Sequence, residues 1–260
     1  MTTGYSGYCE IIKKYSEYGN SSISNDIKFE YITNDSLLEQ LKSQTRFPQD
    51  LDSLSEIEKI IKLKTWLNQT LKYEYGYSGD NSRTISKPRN LIRMLELKDD
   101  INTVFVCRDF GIALTELYLS VGLQARYVTC MSVFTNDKDS HVVTEVFWKK
   151  KNKWIMMDAS FNSYIMNENK ELLGLQEIRN CFEEKKTLIV SENIKIVKPA
   201  YYLKYMAKNS FKFMRPLVSE FNVENSNCRH ILLLPLNYDE QDYINSDFVI
   251  TMNDSEHFWR

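Results

Sequence analysis

Only three histidines, His141, His230 and His257, occur in the 260 residues, so a reaction that needs an imidazole base has few candidates for it. Cysteine is almost as sparse. Cys9, Cys107, Cys130, Cys181 and Cys228 are odd in number and scattered, with no C-x-x-C pair. That argues against a disulfide framework or a zinc knuckle and predicts reduced thiols. Cys228-Arg-His230 offers two ligands without a second pair, so neither a metal nor any other cofactor is expected. No run of about 18 apolar residues occurs, and the opening MTTGYSGYCEIIKKYSEYGN has no basic stretch leading into an apolar one. The expectation is a cytoplasmic chain with no membrane contact. An excess of positive charge is missing too: 33 Lys and Arg against 35 Asp and Glu give a net charge of −2. Nothing in that balance would attract a phosphate backbone, and nucleic acid is not an expected partner. The basic run Lys149-Lys-Lys-Asn-Lys153 reads as a solvated hairpin tip.

What is present is an ordinary globular composition, 43% hydrophobic and 13% aromatic, which excludes wholesale disorder. At 260 residues the chain suits one domain with extensions better than two equal domains. We read residues 1–50 as an N-terminal extension, 51–165 as the core, and 166–260 as a C-terminal α/β extension packed on that core. The first part suggests a helix over 9–18, a polar turn at 19–25, a strand over 27–33 and a helix over 36–41. Ser53-Leu-Ser-Glu56 has the form of a capping box. It opens a helix whose apolar residues Ile57, Ile60, Ile61, Trp66, Leu67 and Leu71 form a stripe, ending near Tyr73. The polar segment 74–87 is long enough to serve as a lid or rim. Pro88 suits the first turn of the next helix, closed by Asp99 to Asn102. A third helix, Cys107 to Val121, is expected to stop at a left-handed Gly122.

Beyond Gly122 the period becomes strand-like over 123–134, 141–149 and 153–158, an antiparallel meander with turns at 136–139 and 150–152. Further on, the pattern suggests a helix over 175–182 and strands at 187–190, 194–197, 230–236 and 248–252. The tyrosine-rich stretch 201–214 carries no helix or strand assignment; its Tyr201, Tyr202, Tyr205, Phe211 and Phe213 could wall a narrow channel for an acyl or carrier-bound substrate, though packing as a second core is the favoured reading.

A thiol transfers acyl groups at neutral pH only as thiolate, a form favoured by a helix N-terminus and a nearby imidazole. Cys107 opens its helix after the extended Thr103 to Val106, where unpaired amides of the first turn can also cradle an oxyanion. His141 opens a strand, and Asp158 ends the next one. If those strands pair around 150–152, the imidazole and the carboxylate are neighbours, the arrangement needed to hold a base in one tautomer.

Four blocks carry a family resemblance: Phe105-Val-Cys107-Arg-Asp-Phe-Gly, Val121-Gly-Leu-Gln-Ala-Arg126-Tyr-Val, His141-Val-Val-Thr-Glu-Val and Trp154-Ile-Met-Met-Asp158-Ala-Ser. In this order and spacing, over about residues 55 to 162, the chain resembles the transglutaminase-like superfamily. The resemblance implies an α+β, papain/transglutaminase-like core in which a nucleophile-bearing helix packs on an antiparallel β-sheet. It also implies Cys107 as nucleophile, His141 as base and acid, and Asp158 as orienting carboxylate. The chain departs from the family's habit with Phe105 and Val106 before the cysteine, Val143 after the histidine and Ala159 after the aspartate. Peptide N-glycanases share the Ala-Arg-Tyr-Val flavour, but their paired C-x-x-C motifs are absent. Family members use an upstream Trp or Gln as an oxyanion donor. Trp66 is the candidate here, against a core-packing role, and Tyr164 is a candidate for lining the site. Arg126 and Glu145 read as a structural ion pair.

The implied function is acyl transfer through a thioester on Cys107, from a peptide, protein or carrier-bound acyl substrate to water or to an amine. The alternative is a binding module with an idle site.

Overall fold

The structure, a computed structural model, describes residues 4–19, 27–43, 47–76, 83–135, 137–225, 228–238 and 248–260. The expected turn at 20–25, residues 77–82 of the polar segment and Asn136 lie outside the described residues. In chain order the elements begin with α1 (Ser6–Lys14), β1 (Glu30–Tyr31), α2 (Ser36–Lys42), α3 (Glu56–Thr70), α4 (Leu91–Leu97) and α5 (Cys107–Ser120). There follow β2 (Ala125–Met131), β3 (Ser140–Trp148), β4 (Lys153–Met157), β5 (Ile165–Asn167), α6 (Leu175–Glu183) and β6 (Leu188–Val190). The chain closes with α7 (Pro199–Asn209), β7 (Lys212–Pro216), β8 (Val218–Ser219), β9 (His230–Leu233), β10 (Val249–Met252) and α8 (Ser255–Trp259).

Among the described residues the largest sheet has the order β10-β9-β7-β2-β3-β4. It is antiparallel from β4 through β9, and its last pair, β9 with β10, is parallel. The sheet is therefore mixed at one edge, where the sequence suggested antiparallel strands throughout. Helix α5 lies against β2 and β3, with α2, α3 and α4 over its outer side. Leu63, Leu67, Phe110, Leu114, Leu117 and Val146 fill that layer. The opposite face of the sheet buries Val128, Val143 and Phe213 against α6, α7 and α8. Because both faces are covered, every residue of β2 is buried.

Several boundaries move for local reasons. The capping box sits two residues later than its sequence pattern: the Ser55 amide donates to Glu58 Oε2 at 2.9 Å, while Ser53 Oγ closes the preceding turn on Asp50 O at 3.0 Å. Pro88 does not begin a helix. Asn90 caps α4 instead, its Oδ1 accepting the Arg93 amide at 2.9 Å, and Pro88 follows a cis peptide. The segment 194–197 is a turn, since Ile196 has a φ of 75° and the Val197 amide bonds Lys195 O. The strand suggested over 27–33 shrinks to Glu30–Tyr31, paired with β8, and the helix suggested over 9–18 starts and ends earlier as α1. The tyrosine-rich stretch becomes α7 followed by β7. Gly122, at a φ of 78°, ends α5 as its sequence position suggests.

Gly111 is the one glycine that fixes the position of α5. A Cβ there would lie 2.6 Å from Val142 Cγ1, so the helix can approach β3 this closely only without a side chain at that point. Thr144 Oγ1 completes the contact by donating to Gly111 O at 3.0 Å. No helix among the described residues is long and apolar enough to cross a membrane.

Candidate active site

Cys107 is the first residue of α5, behind the extended Val106. Asp109, wholly buried, reaches back to accept the Val106 amide at 2.8 Å and faces Arg89 Nε at 3.1 Å. Burial pushes its carboxyl up to about 6, against the pull of that amide and of Arg89. The amides of Asp109 and Phe110 turn to Val106 O. Among the described residues, the Cys107 and Arg108 amides are left without an acceptor, a donor pair beside the sulfur. The Cys107 thiol faces Ser140 O at 3.9 Å, so it lies against the residue that precedes His141.

His141, the second residue of β3, is fully buried. Its Nε2 lies 2.7 Å from Asp158 Oδ2. The carboxylate is an acceptor, which puts the proton on Nε2. Nδ1 forms no regular hydrogen bond, yet the Cys107 sulfur is near enough to favour the imidazolium. Burial works to lower the His141 pKa. The Asp158 charge and hydrogen bond, with Cys107 assisting, outweigh it and raise the imidazole to about 10. The β3–β4 hairpin brings this pair together: Thr144 pairs with Met157, so Asp158 emerges level with the start of β3.

Asp158 accepts four donors. Besides His141, Tyr202 Oη reaches Oδ2 at 2.7 Å, and Ser160 Oγ and the Phe161 amide reach Oδ1 at 2.6 and 3.1 Å. Burial works against the charged form, and these partners together hold the carboxyl below its ordinary value. The turn that follows is closed by reciprocal backbone bonds between Asp158 and Ser163 at 2.9 and 2.7 Å. It is braced from α3, where the buried Lys64 Nζ donates to Asn162 O and Oδ1 at 2.9 and 2.8 Å and Asn68 holds Ala159 O. Burial lowers the Lys64 ammonium to about 8.

Above the sulfur opens a cavity of about 920 Å³ that Cys107 shares with Tyr73, Tyr75, Ser140, Tyr201 and Tyr205. Tyr205 Oη donates to Asp139 Oδ1 at 3.0 Å, and its ring lies 5.2 Å from that of His141. Phe161 covers the imidazole from another side at 5.5 Å. Tyr73 is placed by a backbone pairing with Phe105, two residues before the cysteine. Glu74, Tyr75, Gly76 and Thr84 of the polar 74–87 segment line the same cavity.

The structure thus brings Cys107, His141 and Asp158 together and leaves the two other candidates apart. Trp66 faces away, 6.5 Å from the Phe47 ring in a groove with Leu54 and Ile61. Its place on α3 is one residue off the stripe that faces α5. Tyr164 packs with its ring 5.3 Å from Lys64 Nζ and does not line the cavity. Arg126 and Glu145 form a buried ion pair at 2.8 Å, away from the thiol. His230 pairs with Tyr127 Oη at 2.9 Å, and no metal-binding cluster occurs among the described residues. Sequence reading overlooked Lys64, Tyr73 and Phe161, and it weighed Tyr202 and Tyr205 only as a channel wall or core packing, where Tyr205 lines the cavity and Tyr202 binds Asp158. Lys64 left a signal: it stands on the Ile60, Leu67, Leu71 stripe, where a charge demands a buried partner. The tyrosines left none beyond their abundance.

Residues 45–159 match the transglutaminase-like superfamily, a span that contains α3 to β4 and all three residues of the Cys107 site. That segment is therefore similar to transglutaminase-like domains. Among solved structures it is similar to a candidate cysteine protease from Cytophaga hutchinsonii determined to 1.9 Å, at 17% identity and a TM-score of 0.29. That alignment covers 68% of this chain and 57% of the other, so the chain spans little more than half the length of that protein. No curated protein matches the chain.

Proposed function

We propose that the chain is a cysteine-dependent acyl-transfer enzyme in which Cys107, His141 and Asp158 act as nucleophile, acid and base, and orienting carboxylate. The observation that carries this reading is the buried imidazole held at Nε2 by Asp158, with its free Nδ1 edge beside a helix-opening cysteine at the cavity.

The Cys107 sulfur attacks the carbonyl carbon of an amide or thioester, and the carbonyl π pair moves onto oxygen. The Cys107 and Arg108 amides are the donors available to that oxyanion. Collapse expels the amine or thiol, which takes its proton from His141, and leaves a thioester on Cys107. Water or an amine then attacks the thioester, His141 accepts its proton, and the thiol is restored. The first acceptor gives a peptidase or amidase, the second a transglutaminase or amide-forming acyltransferase. The substrate is a peptide, a protein or a carrier-bound acyl group.

p-Nitrophenyl acetate serves as a generic acyl donor. Wild-type protein is expected to acquire an acetyl group on the Cys107 peptide that hydroxylamine releases as the hydroxamate. Cys107→Ser and His141→Ala should not give that labile adduct. If wild type fails to acylate and its Cys107 alkylates no faster than Cys181, the chain is a binding module on this fold.

A further inference from the structure

Tyr202 belongs to α7, outside the segment that matches the superfamily, yet it reaches the centre of the site. Three of the four donors to Asp158 are its own turn, through Ser160 and Phe161, and the reacting imidazole. Besides His141 on β3, Tyr202 is the donor that comes from a separate element, and it binds Oδ2, the same oxygen that faces His141 Nε2. We propose that Tyr202 is a positioning residue of this site, its hydroxyl keeping Asp158 ionised and fixed so that the Nδ1 edge of His141 stays turned toward Cys107. The proposal rests on the acyl-transfer reading.

Packing does not require the hydroxyl. The Tyr202 ring sits edge-on to Phe161 at 5.3 Å, a contact that phenylalanine would keep. Nor does the docking of α7 depend on it. Tyr205 holds Asp139 and Ser140 O, and Lys208 Nζ lies 2.8 Å from Asp137 and 2.6 Å from Asp139. What the hydroxyl does alter is the carboxylate. A fully buried Asp is driven toward the neutral acid, which holds an imidazolium poorly, and each donor to its charged form opposes that drift. The titratable groups around Asp158 are Lys64 on α3, Tyr73, Cys107 on α5, Cys130 on β2 and His141 on β3. None of them supplies a second donor to Oδ2 besides His141.

The sign follows from the carboxylate's depressed pKa. Its hold on His141 is complete at neutral pH and fails as pH falls through the folded value, so losing a donor moves that failure to higher pH. The test is the pH dependence of iodoacetamide alkylation at Cys107, followed by peptide mapping in wild type, Tyr202→Phe, and protein with 3-fluorotyrosine placed at position 202. Fluorine strengthens the donor at almost constant shape, which keeps the test valid if the phenylalanine variant folds poorly. Tyr202→Phe should move the acid limb of the profile up by about one pH unit, the effect of losing a hydrogen bond to a charged group. Fluorotyrosine should move it down. Profiles that superimpose, or a rate that falls equally at every pH with the limb in place, would make Tyr202 a packing residue and overturn the proposal. A wild type without rapid alkylation removes the acyl-transfer reading and this proposal together. Rapid alkylation with an unmoved limb removes only this one.

Discussion

Replacing Asp158 by asparagine removes one charge at almost constant volume and tests the centre of the site directly. The His141 pKa stands at about 10 against an ordinary 6.5, and burial on its own acts in the opposite direction. That difference is on the order of 5 kcal/mol of preference for the imidazolium, an upper bound because part of it belongs to the Cys107 partner. Once the carboxylate is gone, desolvation is the dominant influence left, and the imidazole should be neutral at about pH 7. With that preference lost, Cys107 should alkylate at least about a hundredfold more slowly near neutrality. The assay is iodoacetamide labelling across pH with mapping of the Cys107 peptide. Wild type should show a broad plateau through neutral pH. Asp158→Asn should show a rate that climbs steadily with pH, as for a thiol without a paired imidazolium. A variant that keeps the plateau, with a rate within about threefold of wild type, would refute the claim that Asp158 holds the imidazolium.

Because the His141 pKa is raised on folding, its contribution to stability is complete below 6.5 and is lost as pH rises toward about 10. Urea denaturation of His141→Gln should therefore show a shallower fall of stability with pH across that interval, by up to one proton in slope. Lys64 works the other way, since its lowered pKa of about 8 makes stability rise with pH above that value, so Lys64→Met should steepen the fall there. The same Lys64→Met change leaves two acceptors of Asn162 without their donor and should cost about 2–4 kcal/mol by denaturant melting. Gly111→Ala must push α5 away from Val142, which we expect to cost about 1–3 kcal/mol and to slow Cys107 alkylation by shifting the sulfur from His141. Unchanged melting and alkylation in that variant would show that the helix has room to spare.

The helix that Cys107 opens, its left-handed stop at Gly122, and the strands that begin near His141 and end at Asp158 were legible because each rests on local sequence signals. Hydrophobic spacing over Phe110 to Val121 specifies a helix face, and the β-branched and aromatic residues of His141 to Trp148 favour a strand. A turn of the right length between two strands then forces the start of one opposite the end of the other, which is why His141 and Asp158 could be paired in advance. Where local signals competed, the reading slipped: Ser53 and Ser55 both fit a cap, and only the observed hydrogen bonds choose Ser55. Trp66 and Tyr164 looked eligible by residue type alone, but the direction of a side chain from α3, or from the turn after β4, is set by what packs against it. The rings around the imidazole, Phe161, Tyr202 and Tyr205, with Tyr73 behind Phe161, come from three separate stretches of chain. The sequence by itself determined the class of core and the order of Cys107, His141 and Asp158 along it, since those depend on neighbours within one element or one hairpin. Only the tertiary structure decided that α7 lies beside Asp158, because a contact between residues 44 positions apart is fixed by packing across the sheet and leaves no periodic trace along the chain.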